Sequence, residues 1–143
     1  MMAGGSGMTE RRLTTHVLDL THGVPAAGLS LSVHRIGADG VRSHLADAVT
    51  NADGRCDGPL LTGDAFAPGE YEILFRVEAY FATRNVPGQG AGHRGDAADA
   101  AEGVAGPAFL GDVPIRFRAA AGRQHYHVPL LVSPYGYSTY RGS

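Results

Sequence analysis

Short runs in which apolar and polar residues alternate, broken by Gly, Pro, Asn and Asp, recur along this chain. In LSLSVHRI, Leu29, Leu31 and Val33 share one face while Ser30, Ser32 and His34 share the other. GEYEILF sets Tyr71, Ile73 and Phe75 against Glu72 and Leu74, and DVPIRFRA sets Val113, Ile115 and Phe117 against Arg116 and Arg118. HYHVPLLV sets Tyr126, Val128, Leu130 and Val132 against His125, His127 and Leu131. LTTHVLD and HLADAVT are further strand-like runs, and NADGR marks a tight turn at Asn51–Gly54. Period two over such lengths predicts half-buried antiparallel strands, because side chains alternate across a pleated backbone. Many such strands between Gly/Pro turns predict an all-β sandwich or barrel. VEAYFATR (Val77–Arg84) reads as one short helix, or as a continuation of the preceding strand. Pro129 interrupts an otherwise convincing strand, and since proline gives no ladder hydrogen bond it predicts an edge strand or a bulge. The Gly/Ala-rich stretch NVPGQGAGHRGDAADAAEGVAGPA is poor in large apolar residues and reads as a long insertion at about 85–108.

With 143 residues, 43% of them hydrophobic, the chain suffices for one domain with a real core. Residues 1–12 read as a flexible N-terminus and 13–143 as the domain. The formal net charge of -2 gives no footing for nucleic-acid or anionic-membrane binding. A single cysteine, Cys56, excludes an intrachain disulfide and a cysteine-rich metal site, and suits a reducing compartment. The N-terminal segment does not read as a signal peptide, and no apolar run is long enough for a spanning helix. The expectation is a cytoplasmic protein.

Seven histidines stand out, and His16, His125 and His127 lie in strand-like runs. His127 falls on the face opposite Tyr126, Val128 and Leu130, with Leu131 beside it in parity. Such a semi-apolar outer face suits a subunit interface or ligand cavity as well as a plain exposed strand. Arg55 follows the NADG turn, which can fix its direction. The tail YGYSTYRGS alternates Tyr135, Tyr137 and Thr139 against Gly136, Ser138 and Tyr140. His125 and His127 share a parity, but no Asp, Glu or Cys stands at supporting spacing, and HExxH, CxxC and a phosphate-cradling glycine loop are absent. No metal and no cofactor are expected.

Three blocks carry a resemblance: LTTHVLDLTHGVPAAGLSLSVHRI, TNADGRCDGPLL, and QHYHVPLLVSPYGYSTYRGS with its terminal YRGS. In their order and spacing they resemble the 5-hydroxyisourate hydrolases, the enzyme branch of the transthyretin family. The resemblance covers the chain from Leu13 except the insertion. It implies a transthyretin-like (prealbumin) sandwich of two four-stranded antiparallel sheets with one short helix. It also implies a homotetramer, a dimer of dimers with sites where dimers meet. The implied reaction is hydrolysis of 5-hydroxyisourate to 2-oxo-4-hydroxy-4-carboxy-5-ureidoimidazoline in urate degradation. The alternative is a non-catalytic carrier of a small planar ligand. Matched by motif, the catalytic positions are His16, Arg55 and His127, and the tail residues Tyr140, Arg141, Gly142 and Ser143 match the substrate-binding tetrapeptide. His125 is a neighbour in the same motif.

Overall fold

The computed structural model describes residues 10–84 and 108–143. The predicted insertion, apart from Ala108, and most of the predicted flexible N-terminus lie outside the described residues. Each alternating run forms a strand: β1 (Arg12–Asp19), β3 (Ser30–Ile36), β4 (Arg42–Val49), β6 (Gly69–Phe75), β7 (Val113–Ala119) and β8 (His125–Ser133). Three shorter strands join them: β2 (Val24–Pro25), β5 (Leu61–Thr62) and β9 (Gly136–Thr139). The helix α1 spans Val77–Ala82, as its apolar residues Val77, Tyr80 and Phe81 all turn inward. The N-terminal boundary is tight: Arg12 already belongs to β1, and the Arg11 guanidinium donates to the carbonyls of Phe66, Ala120 and Arg123.

Two sheets face each other. One runs β2-β1-β8-β9, with β5 also pairing β1, and the other runs β4-β3-β6-β7. The inward faces are the apolar parities of the sequence. Leu13, Val17, Leu29, Val33, Tyr71, Ile73, Phe75, Leu130 and Val132 are fully buried. Burying each such side chain is worth about 1.5–3 kcal/mol. At one end, Phe66 packs edge-on against Tyr71 and Tyr126 at centroid distances of 5.1 and 5.8 Å, in the geometry the ring quadrupole favours.

Two expectations are corrected. The first sheet has a fifth strand and is not wholly antiparallel: β1 and β8 run parallel over eight register pairs, from Arg12↔His125 to Asp19↔Val132. Alternation shows which residues turn inward but not which way a partner runs, and strands from opposite ends of a chain have no hairpin to set direction. Pro129 is also not on an edge strand, since β8 lies between β1 and β9. The β8–β9 ladder covers Leu130↔Thr139 to Ser133↔Gly136, and the same register resumes at an isolated bridge, His127↔Gly142. Pro129 falls in the gap between them, opposite Tyr140, where it has no N–H to give. Thr139 Oγ1 donates to the Pro129 carbonyl there instead, at 2.7 Å.

Candidate active site

The outer face of the first sheet carries Thr14 and His16 on β1 and His125 and His127 on β8. Their alternate neighbours Leu13, Thr15, Val17, Tyr126 and Val128 are buried in the sandwich. The parallel register sets Thr14 directly beside His127. A cleft of about 420 Å³ opens over this face, lined by Arg12, Thr14, Arg55, Cys56, His125, His127 and Ser143 among others.

Arg55 is placed by the NADGR turn. Asn51 Oδ1 accepts from the backbone N–H groups of Asp53 and Arg55 at 2.9 and 3.2 Å, closing the loop on itself. Gly54 has φ of +77°, and a Cβ there would lie 2.4 Å from the Val17 carbonyl. Only glycine meets both demands. The Gly54 carbonyl accepts from Val17 N at 2.8 Å, which sews the turn to β1. Among the described residues Arg55 belongs to no ion pair. Its charge is therefore available to the cleft.

His16 faces the turn. Its Nε2 lies 3.0 Å from the Asp53 carbonyl oxygen. A carbonyl only accepts, so His16 carries a proton on Nε2 and its lone pair is on Nδ1. His127 is held differently. Its Nδ1 lies 2.9 Å from Thr14 Oγ1, and the same oxygen is 2.9 Å from His125 Nε2. Among the described residues nothing bonds to His127 Nε2. Burial pushes the His127 imidazole below its ordinary pKa, and the positive charges of Arg55, His125 and His16 push the same way. Burial likewise lowers His125, helped by Arg12 and Arg123. Both rings are thus neutral at pH 7, with lone pairs able to accept a proton. Cys56 is no nucleophile here, because burial and then Asp57 raise its thiol above the ordinary value.

The tail divides. Gly142 is buried against His127: its N–H donates to the His127 carbonyl at 2.7 Å, and a Cβ on it would lie 2.6 Å from His127 Cδ2. Arg123 clamps this arrangement by donating to the Gly142 and His125 carbonyls. Ser143 reaches the cleft. Tyr140 and Arg141 instead line a separate groove of about 230 Å³ with Ile115, Phe117 and Val128. Within one chain the fold therefore gathers Arg55, His127 and Ser143 at the cleft, packs Gly142 against His127, sets His16 beside the turn, and sends Tyr140 and Arg141 to another groove. Thr14, Arg12 and Cys56 were not singled out by motif. Thr14 shares the parity of His16, but its contact with His127 depends on a long-range register. Among the described residues no group of three or more His, Cys, Asp or Glu could hold a metal ion.

The HIUase/Transthyretin family model matches residues 13–142. A 5-hydroxyisourate hydrolase of Mesorhizobium japonicum is 50% identical over 142 residues, covering 99% of this chain and all of that protein. The solved 5-hydroxyisourate hydrolase of Klebsiella pneumoniae is 31% identical with a TM-score of 0.64, over 93% of this chain and 94% of that one. Transthyretin of Sparus aurata superposes with a TM-score of 0.72 at 26% identity, over 92% of this chain and 96% of that one. Backbone likeness thus reaches transthyretin and hydrolase alike, while sequence identity is higher to these hydrolases. With the match running from the first strand to the tail, this chain belongs to the HIUase/Transthyretin family.

Proposed function

We propose that this chain hydrolyses 5-hydroxyisourate to 2-oxo-4-hydroxy-4-carboxy-5-ureidoimidazoline. The observation that carries this reading is the pairing, in one cleft, of a neutral His127 whose Nε2 is unbonded among the described residues with an Arg55 that has no ion-pair partner among them. Similarity to named hydrolases over the whole chain supplies the substrate.

Ring opening at the N1–C6 amide needs a base for water, a sink for charge on the C6 oxygen, and a proton for the departing nitrogen. His127 Nε2 takes one proton from water as the oxygen attacks C6. The developing negative charge on the carbonyl oxygen is met by Arg55. The C6–N1 bond then breaks and N1 leaves with the proton that His127 had accepted. His16, whose Nε2–H is committed to the Asp53 carbonyl, orients the turn that carries Arg55. The open Nε2 of His127 at the cleft supports His127 over His16 as the base in this reading. Gly142 and Ser143 close the cleft beside His127.

The working protein in this reading is a cytoplasmic homotetramer. Among the described residues β9 ends one sheet and β7 ends the other. Tyr135, Tyr137 and Tyr140 lie exposed beside the β9 edge, an aromatic rim suited to a second copy. Tyr140 and Arg141 then serve the site through such an interface. No helix among the described residues is long and apolar enough to cross a membrane.

The test follows the ultraviolet decay of freshly made 5-hydroxyisourate, with the spontaneous rate subtracted and product chirality read by circular dichroism. Accelerated decay to one enantiomer is expected. Decay at the background rate from folded protein overturns the hydrolase reading and leaves ligand carriage.

A further inference from the structure

A hydroxyl has one proton to give. Thr14 Oγ1 lies 2.9 Å from His125 Nε2 and 2.9 Å from His127 Nδ1, so it donates to one ring and accepts N–H from the other. The two imidazoles cannot choose their tautomers independently. In one arrangement His127 carries its proton on Nδ1 and donates to Thr14, while Thr14 donates to His125 Nε2. The cleft nitrogen, His127 Nε2, is then a lone pair. In the other arrangement His125 donates to Thr14, Thr14 donates to His127 Nδ1, and His127 Nε2 carries the hydrogen. The first is a base and the second an acid.

We propose that Thr14 and His125 are positioning residues for His127: the shared hydroxyl sets the tautomer of His127 and connects its buried face to His125 for proton exchange. The inference rests on the reading of His127 as base. Its bookkeeping closes. When His127 Nε2 takes a proton from water, the Nδ1 proton can pass to Thr14 Oγ1 while the Thr14 proton passes to His125 Nε2. His127 is left neutral and protonated on Nε2, Thr14 is again a hydroxyl, and His125 is an imidazolium that loses its Nδ1 proton to solvent. Reversal of the chain returns a proton to the cleft for the departing nitrogen. No group is oxidised and no co-reactant is needed.

The surroundings suit such exchange. Arg12 and Arg123 stand by His125, so a proton arriving there is not trapped. Around His127 the charged and titratable neighbours are Arg55 and His16, with His125 beyond the hydroxyl and Arg12, Cys56 and Ser143 further along the cleft; among the described residues no Asp or Glu side chain lines it. Gly142 crowds the Cδ2 side of the ring, where even an added Cβ would lie 2.6 Å away.

The test combines nitrogen-15 histidine spectra with kinetics. Threonine and valine have the same shape and both suit a strand, so Thr14→Val keeps β1 intact. In the unaltered enzyme at neutral pH, His127 is expected with Nε2 unprotonated. In Thr14→Val that preference relaxes toward the Nε2–H form of free histidine. There kcat should fall on the order of 10-fold, less than loss of the base itself, with KM unchanged. Thr14→Ser should restore both tautomer and rate. His125→Gln retains an acceptor for the hydroxyl but not a titrating group, so the tautomer should persist while kcat becomes dependent on added imidazole. An unchanged His127 tautomer and kcat in Thr14→Val, or a His125→Gln enzyme at full speed without imidazole, overturns the proposal. Full activity in His127→Ala instead overturns the underlying base assignment, and the tautomer measured in the resting protein distinguishes the two failures.

Discussion

Both sheets show histidines and arginines on their outer faces, yet the two faces are chemically opposite. On the second sheet the charges are closed on one another. Glu72, 4% exposed in its side chain, takes Arg42 at 2.7 Å and Arg116 at 2.8 Å. Arg76 pairs with Asp112, and His44 Nε2 meets Asp47 at 2.9 Å. His34 Nε2 is bonded to Ser32. On the first sheet His125 and His127 line a cleft, and among the described residues no Asp or Glu side chain lines it with them and Arg55 belongs to no ion pair. Burial lowers the pKa of His34 on the second face just as it lowers His127 on the first. A lowered pKa therefore does not separate a site from a scaffold. What separates them is whether the charges around the imidazole are already spent.

The sharpest way to break that contrast is to remove one histidine from each face. His127→Ala should cost about 10²–10⁴-fold in kcat/KM, the usual worth of a general base. His44→Ala should leave kcat/KM unchanged. Comparable losses in the two variants would show that the faces are not functionally distinct. Arg55→Gln comes next, with a loss on the order of 10²–10³-fold if the guanidinium meets the oxyanion. It also carries a pH signature. Arg55 is the largest charge effect holding His127 down, after burial. Without it the His127 pKa rises, and the acid limb of kcat/KM should move to higher pH. Arg42→Gln should leave that limb in place, because Arg42 faces Glu72 on the other sheet. Gly142→Ala follows. Its Cβ, 2.6 Å from His127 Cδ2, forces the ring or the tail to shift. Misplacement of that size costs roughly 10–100-fold in rate, with the melting temperature nearly unchanged because the tail lies at the periphery.

How far the molecule was legible in its sequence follows the same division. The second face and the core were readable from alternation alone: Tyr71, Ile73 and Phe75 turn inward and Glu72 outward, as period two requires. Glu72 is nonetheless buried, since two arginines fold over it, and alternation carries no sign of that. His16, Arg55 and His127 were picked out by motif. Their division of labour was not, because it depends on which ring nitrogen meets a carbonyl and which meets a hydroxyl. Thr14 was invisible as a partner of His127, since 113 positions separate them and a parallel register joins them. The tail is similar. Gly142 matters for its missing Cβ, whereas Tyr140 and Arg141 line a different groove.

The smallest expected effect lies on the closed face and sharpens the comparison from the other direction. Burial raises the Glu72 carboxyl, but the hydrogen bonds and charges of Arg116 and Arg42 outweigh it and hold its pKa below the ordinary 4.5. A carboxylate whose pKa is depressed by folding stabilises the fold above the unfolded value, and that contribution disappears as pH falls through the folded value. Breaking a fully buried pair costs about 3–5 kcal/mol. Here both guanidiniums are close to half exposed and water takes over their solvation, so Glu72→Gln should cost only about 1 kcal/mol. For a chain of this length that lowers the melting temperature by about 4 °C. The deficit should be full at pH 7, shrink as pH falls below 4.5, where the unfolded carboxyl takes up a proton, and vanish once pH is below the lower value at which the native carboxylate is itself protonated. Activity per folded molecule should not change. If Glu72→Gln instead slowed the reaction while melting normally, the second face would be acting on the cleft through the sandwich, and the boundary drawn between a spent and an unspent set of charges would be wrong.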